Sequence, residues 1–373
     1  MKKITNLLFF TFIFTQLGFI IGSDIIVSLF NNASILFIIC LFFLNLNKMK
    51  KKEFFYFIVI SFILLSNYFI KTLINIETFP RDLFYLFILI VSLMSVRNTE
   101  LDIKQLKLWK ISIYALSLAF WIGSFNPSNY GFYPYNFLMF GYSNPNVIAS
   151  IILTNIVFTC VLASRKLFFL TVDIIIIFLN LYILSLTGSR TGLLSSVFII
   201  LLTAFRKKLP SIFSKFFGYL SVVFPIIFIP LKNMSAKLIS YMSFFYESNK
   251  VKNLNGRDFI WTEQIRILTS DIKYFLLGAQ LPNYPSVYRN SHNYLLFILF
   301  NNGFVVFFIY IIFLFKNIYR KLSFKSNIYN TVSLLGWFII VISNTFESHL
   351  SSGIISVSIL WTLLLSDFKT TLD

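Results

Sequence analysis

Five side chains carry most of the chemistry this sequence could perform. They are Arg190 in LSLTGSRTGLLSS (184–196), Arg257 in NGRDFIW (255–261), Arg289 and His292 in YRNSHNYLLFILFNNG (288–303), and Glu347 in NTFESHL (344–350). A guanidinium meets a phosphate through a bidentate fork, so three arginines suit a phosphorylated substrate. A histidine ordinarily titrates near neutral pH and can take a proton from an attacking hydroxyl. Glu347 is the rival base, or the group that orients the histidine.

Each of these residues also has an ordinary structural use. Gly188 and Gly192 permit a tight turn, and Arg190 between them could simply reach from the membrane edge to water. The functional alternative adds the amides of a helix start, with Ser189 and Thr191 as further donors. From Asp258 onward, Ile260 or Trp261, Gln264 or Ile265, and Leu268 recur at helical spacing. A short amphipathic helix near 258–269, lying on the membrane with Arg257 at its N-terminal end, is expected. His292 could be a helix cap. Asn144 and Asn146 in YSNPNVIAS flank Pro145, a helix-start signal. Ser189, Asn144, Asn146, Trp261 and Asn293 are candidates for contacting glycan or shaping the loops. A metal site is hard to build from two histidines, no thiol pair and no D-x-D motif.

The elements that must position these residues are membrane spans. The chain is 57% hydrophobic and 12% charged, whereas soluble domains carry about 25% charged residues. Apolar runs of membrane-crossing length predict an all-α polytopic fold. Its twelve spans run roughly over 4–22, 25–46, 53–71, 81–96, 109–124, 145–163, 167–186, 190–205, 212–230, 292–315, 328–345 and 352–366. The first resembles a signal peptide, but it has no clear A-x-A site and another span follows at once, so it reads as a retained helix. One long loop, 231–291, joins spans nine and ten.

Lysine and arginine fix the orientation. Lys2 and Lys3, KMKKK (48–52), Arg97, Lys104, Lys107, Lys110, Arg165, Lys166, RKK (206–208), Lys215, Lys316, Arg320, Lys321, Lys325 and Lys369 all fall on one side, which is then cytoplasmic. The short outer loops hold Lys71, Arg81 and Arg190. Both termini are placed inside and the arginine-rich residues outside. The net charge of +18 is spent largely against anionic lipid headgroups, and no nucleic-acid motif is visible. Cys40 and Cys160 fall within spans and read as buried apolar residues.

SLTGSRTGLL, NGRDFIW and SHNYLLFILFNNG, in this order around a long outer loop, resemble the O-antigen ligase/polymerase superfamily of bacterial membrane glycosyltransferases. The NPN before a span is also similar to that family's pattern, and the likeness covers roughly 140–350. Two features depart from it. Gly278 is the one glycine in the segment before His292, and Val305 and Val306 stand where a second glycine usually follows Gly303.

The resemblance implies a C-type glycosyltransferase fold in the bacterial cytoplasmic membrane, acting outside the cytoplasm on glycans linked through pyrophosphate to undecaprenol. It implies that Arg190 and Arg257 contact the pyrophosphate and that His292 stands near the reacting hydroxyl; Arg289, placed on the same side, is a further candidate for the pyrophosphate. No cofactor is implied; a chain-length regulator protein is a further partner. Within the family a polymerase of O-antigen or capsule repeat units is favoured over a ligase that moves finished glycan to lipid A core. A flippase for lipid-linked oligosaccharides would instead require charges along a path through the membrane, for which Asp173 is the main candidate. A scaffold without chemistry would tolerate loss of Arg190.

Overall fold

A computed structural model describes residues 2–74, 76, 80–96, 99–131, 136–140, 144–163, 170–205, 211–228, 257–279, 291–323, 328–346 and 355–368. The chain is mostly helical. In chain order the helices are α1 (Lys2–Ile21), α2 (Asp24–Asn45), α3 (Lys51–Leu73), α4 (Pro80–Val96), α5 (Ile103–Gly123), α6 (Pro145–Leu162) and α7 (Leu170–Leu186). Then come α8 (Arg190–Ala204), α9 (Ser211–Phe228), α10 (Arg257–Ser270), α11 (Ile272–Leu277), α12 (Tyr294–Ser323), α13 (Ile328–Thr345) and α14 (Ile355–Thr362). Two short strands, β1 (Glu100–Leu101) and β2 (Asp367–Phe368), pair in parallel.

Backbone groups in an apolar solvent must be satisfied within the segment, which favours helices for such a sequence. Polar residues sit where the helices begin. Ser23 accepts a hydrogen bond from the Ile26 N–H at 3.4 Å. Asp102 and Gln105 form a capping box at the start of α5.

Each of the twelve apolar segments contains one of these helices. Six are long and apolar enough to cross a membrane: Lys2–Ile21, Asp24–Lys48, Lys51–Leu73, Lys104–Gly123, Pro145–Leu162 and Tyr294–Ser323. Shorter apolar helices occupy Asp82–Val96, Thr171–Leu186, Arg190–Ala204, Phe213–Phe228 and Ile355–Leu365. The architecture is therefore compatible with an all-α polytopic membrane protein. Of the long loop 231–291, residues 257–279 are described and carry α10 and α11; the rest lies outside the described residues.

α6 forms the centre, with Ile148 through Leu162 all buried. α13 packs against it: a Cβ on Gly336 would press on Val157 and come within 3.7 Å of Val161. The direction of α13 follows from α5. α13 begins near the start of α5, because Asn330 donates to Asp367 and the Asp367 N–H donates to the Thr99 carbonyl at 3.1 Å. The end of α5 lies towards the start of α6, with the Phe120 ring centroid 5.2 Å from that of Phe140. The end of α13 therefore shares one end of the bundle with the start of α6. At the other end, Lys321 donates to Asn330 Oδ1 at 2.7 Å and Asn330 donates to Asp367 at 3.1 Å. These bonds hold β2 in place.

Two expectations are corrected here. The segment 292–315 is not one continuous span: α12 runs on to Ser323 and is broken at Gly303, whose φ of 77° and ψ of 174° leave the helical region. Lys110, counted among cytoplasmic loop charges, is fully buried and pairs with Asp173 at 2.8 Å. The Tyr114 hydroxyl donates to the same carboxylate. A buried charge persists only when paired and hydrogen-bonded, and this one is.

Candidate functional site

Two neighbouring helix starts form the first half of the candidate site. Ser189 caps α8 by accepting the Gly192 N–H at 3.3 Å, and Arg190 is the first, exposed residue of that helix. Gly188 has a φ of 67°, and the ring of Phe137 fills the space where a side chain would stand. Asn144 caps α6 by accepting the Asn146 N–H at 2.9 Å. The absence of a side chain at Gly192 lets the helices approach: a Cβ there would lie 3.5 Å from that of Ala149. The SRTG and NPN segments are therefore side by side, with both sets of N-terminal amides at one end of the bundle.

The second half is built around Trp261. Its indole N–H donates to the carbonyl of Ser291, the residue before His292. Arg257 is one turn earlier on α10, so it lies on the same face as Trp261. Ile260, Trp261, Ile267 and Leu268 join Ala279, Leu296 and Phe300 in a small core of their own. The α10 helix thus turns this face onto α12. Of the stripe expected to rest on the membrane, Ile260, Trp261 and Leu268 face this core, whereas Phe259 and Ile265 are exposed.

His292 sits in the left-handed region with φ of 47°. Histidine tolerates that region better than most residues, yet a side chain pays about 1–2 kcal/mol there. The strain is held by its neighbours. Asn293 accepts the Leu295 and Leu296 N–H groups at 3.1 and 3.0 Å, capping α12, and donates to the Pro225 carbonyl at 3.4 Å. Such outliers cluster where a side chain must be aimed.

Phe228, at the end of α9, ties this half to α13: its ring centroid is 6.0 Å from that of Trp261 and 4.8 Å from that of Phe346. Phe346 directly precedes Glu347. Because α13 ends where α6 begins, both halves occupy the same end of the bundle. Glu347 and Arg289 lie outside the described residues. Ser189, Asn144, Asn293 and Trp261 are engaged in shaping the helix starts and the α10–α12 contact. Among the described residues no three His, Cys, Asp or Glu side chains converge as a metal cage would require.

Two residues missed in the sequence complete the site's support. Lys71, assigned to a short outer loop, is buried in the last turn of α3 and donates to the Asn301 carbonyl at 2.5 Å. Asn67, one turn earlier, donates to the Asn302 carbonyl at 3.1 Å. These carbonyls immediately precede the break at Gly303, where the regular ladder fails. Asp82, at the start of α4, supplies a favourable charge for the lysine. Gly278 and Gly303 pass so closely that a Cβ on Gly278 would lie 2.7 Å from the Asn301 carbonyl oxygen, and the Ala279 N–H donates to Phe300 at 2.8 Å. The signal was a polar i, i+4 pair in an apolar helix, together with NNG at 301–303. Comparison with protein-family models, with curated proteins and with solved structures finds no match for this chain, so the reading of the site rests on its residues and their geometry.

Proposed function

We propose that the chain is a membrane glycosyltransferase that polymerises polysaccharide. It would join undecaprenyl-pyrophosphate-linked oligosaccharide repeat units, of O-antigen or capsule, on the outer face of the bacterial cytoplasmic membrane. The observation that carries this reading is the gathering of the Arg190 helix start, the Arg257 helix face and a left-handed His292 at one end of an apolar helical bundle. The distribution of basic loops supports placing that end outside and both termini in the cytoplasm.

The chemistry would be one inverting displacement without a covalent intermediate. The acceptor sugar's hydroxyl oxygen attacks the anomeric carbon of the donor. The bond from that carbon to the pyrophosphate oxygen breaks, and its electron pair leaves with undecaprenyl pyrophosphate. The hydroxyl proton passes to His292 or to Glu347. Charge grows on the leaving pyrophosphate as the bond breaks, so arginines already in place favour the transition state over the ground state. That is the role assigned to Arg190, Arg257 and Arg289, and no metal is required for it.

The Lys110–Asp173 pair weighs against the flippase reading. The intramembrane carboxylate is closed by a lysine and a tyrosine hydroxyl, which suits a structural clasp better than a transport path. The test is the length distribution of lipid-linked and surface glycan in a deletion strain complemented with the wild type or with Arg190→Ala. Single repeat units on the cell surface in the deletion strain, restored to a ladder by the wild type alone, support the polymerase. Long chains stranded on undecaprenyl pyrophosphate mean a ligase, and single units trapped facing the cytoplasm mean transport.

A further inference from the structure

At the end of the bundle opposite Arg190, a cavity of about 550 Å3 opens between the α2–α3 turn, the start of α3, the end of α4 and the last turns of α12. Its charged lining is one-sided: Lys48, Lys50, Lys52, Lys316 and Arg320 against the single carboxylate of Glu53. Tyr56, Met94 and Phe313 supply apolar walls. Lys316 and Lys52 both approach the Tyr56 ring, with Nζ 4.2 and 5.9 Å from its centroid, so two ammonium groups converge on one aromatic platform.

Cations at the C-terminal end of α12 are ordinary, because the helix dipole favours them there. The lysines at the start of α3 are not, since the same dipole opposes positive charge in a first turn. Glu53 offsets part of this, but it is also engaged in accepting the Lys50 N–H at 3.3 Å. The pocket therefore keeps a positive potential that a bound anion would relieve. Beside it, Phe55 and Ile58 of α3 and Phe315 and Tyr319 of α12 expose apolar surface. A ligand that satisfies both features has a phosphate head and hydrocarbon tails.

We infer that this cavity is a binding site for an anionic phospholipid, whose phosphate would lie among Lys52, Lys316 and Arg320 and whose acyl chains would run along α3 and α12. Basic pockets between membrane helices on the cytoplasmic side are suited to such headgroups. The inference depends on the chain residing in a membrane, and it is independent of glycosyl transfer.

The test is native mass spectrometry of the full-length protein in detergent, titrated with phosphatidylglycerol, cardiolipin or phosphatidylcholine. The wild type is expected to retain the anionic lipids and to release phosphatidylcholine. Lys52→Gln/Lys316→Gln should weaken retention roughly tenfold to thirtyfold, while Lys104→Gln/Lys107→Gln, which removes equal charge outside the cavity, should leave it unchanged. Lys316→Arg keeps the charge and should retain the lipid, which separates lost binding from lost folding. Equal losses in the two double variants would overturn the site in favour of diffuse attraction to basic residues. Displacement of the lipid by soluble tripolyphosphate at similar concentration would overturn the lipid as its occupant, and equal retention of phosphatidylcholine would overturn the charge argument.

Discussion

Lys71 and Asn301 meet across a broken helix: the lysine ammonium donates to the asparagine carbonyl at 2.5 Å, at a level where the backbone at Gly303 has left the helical path. Asn67 takes the next carbonyl in the same way. An orphaned backbone carbonyl in an apolar solvent is costly, so these side chains permit α12 to be divided. The first arm, which begins two residues after His292, is thereby held apart from the long second arm.

Lys71→Met is expected to lower stability by about 1–3 kcal/mol, the range for losing a hydrogen bond made by a charged donor. Thermal unfolding of the purified protein in detergent measures it. Activity should fall as well, because the arm that follows His292 loses an anchor. A Lys71→Met protein as stable and active as the wild type would remove this residue from the site's support.

Gly303→Ala and Gly22→Ala form an informative pair. Both glycines have positive φ, 77° and 74°, yet a Cβ at Gly22 meets nothing within 4 Å while one at Gly303 collides with the backbone of α11 at Leu276 and Leu277. The Gly22 substitution should cost about 1–2 kcal/mol from backbone strain alone. The Gly303 substitution should cost more and displace α11, seen as faster proteolysis of the 257–279 segment. Equal costs would mean that the break tolerates a side chain.

Asp173→Asn should be strongly destabilising, by about 3–5 kcal/mol, because it leaves the fully buried Lys110 without its charge partner. Replacing both, as Lys110→Met/Asp173→Leu, should recover most of that stability by the same reasoning. The double variant should also keep glycan synthesis. A folded double variant that synthesises nothing would point to a proton or ion path through this pair.

Much of the fold was legible in the sequence because apolar runs long enough to cross a membrane leave little else to form. Each predicted segment contains a helix, and Arg257 begins the helix expected around 258–269. The break in α12 was not drawn from the sequence: NNG at 301–303 interrupts the apolar run, but only the approach of the α11 backbone at Leu276 and Leu277 shows why a side chain is excluded at Gly303. The same holds for Lys71 and Lys110. Each was read as a loop charge because hydropathy reports where a span ends and not which residue across the bundle accepts its hydrogen bond. The adjacency of the SRTG and NPN helix starts likewise arises from packing at Gly192 and Ala149, which spacing along the chain does not encode.

The pyrophosphate role assigned to the arginines separates charge from geometry. Arg190→Ala and Arg257→Ala should each lower turnover by about a hundredfold to a thousandfold, the range for removing one preorganised donor. Arg190→Lys should recover part of this, since an ammonium keeps the charge but loses the fork. Unchanged thermal unfolding would locate the loss in the chemistry. Full activity in Arg190→Ala would reduce this arginine to a surface anchor.

The most direct measurement is reconstitution. Purified protein in lipid vesicles, given undecaprenyl-pyrophosphate-linked repeat units and EDTA, should produce a ladder of longer glycans and release one undecaprenyl pyrophosphate for each linkage formed, and Arg190→Ala should produce neither. Absence of any ladder from folded wild-type protein, or a ladder undiminished by the Arg190 substitution, would contradict polymerisation at this site.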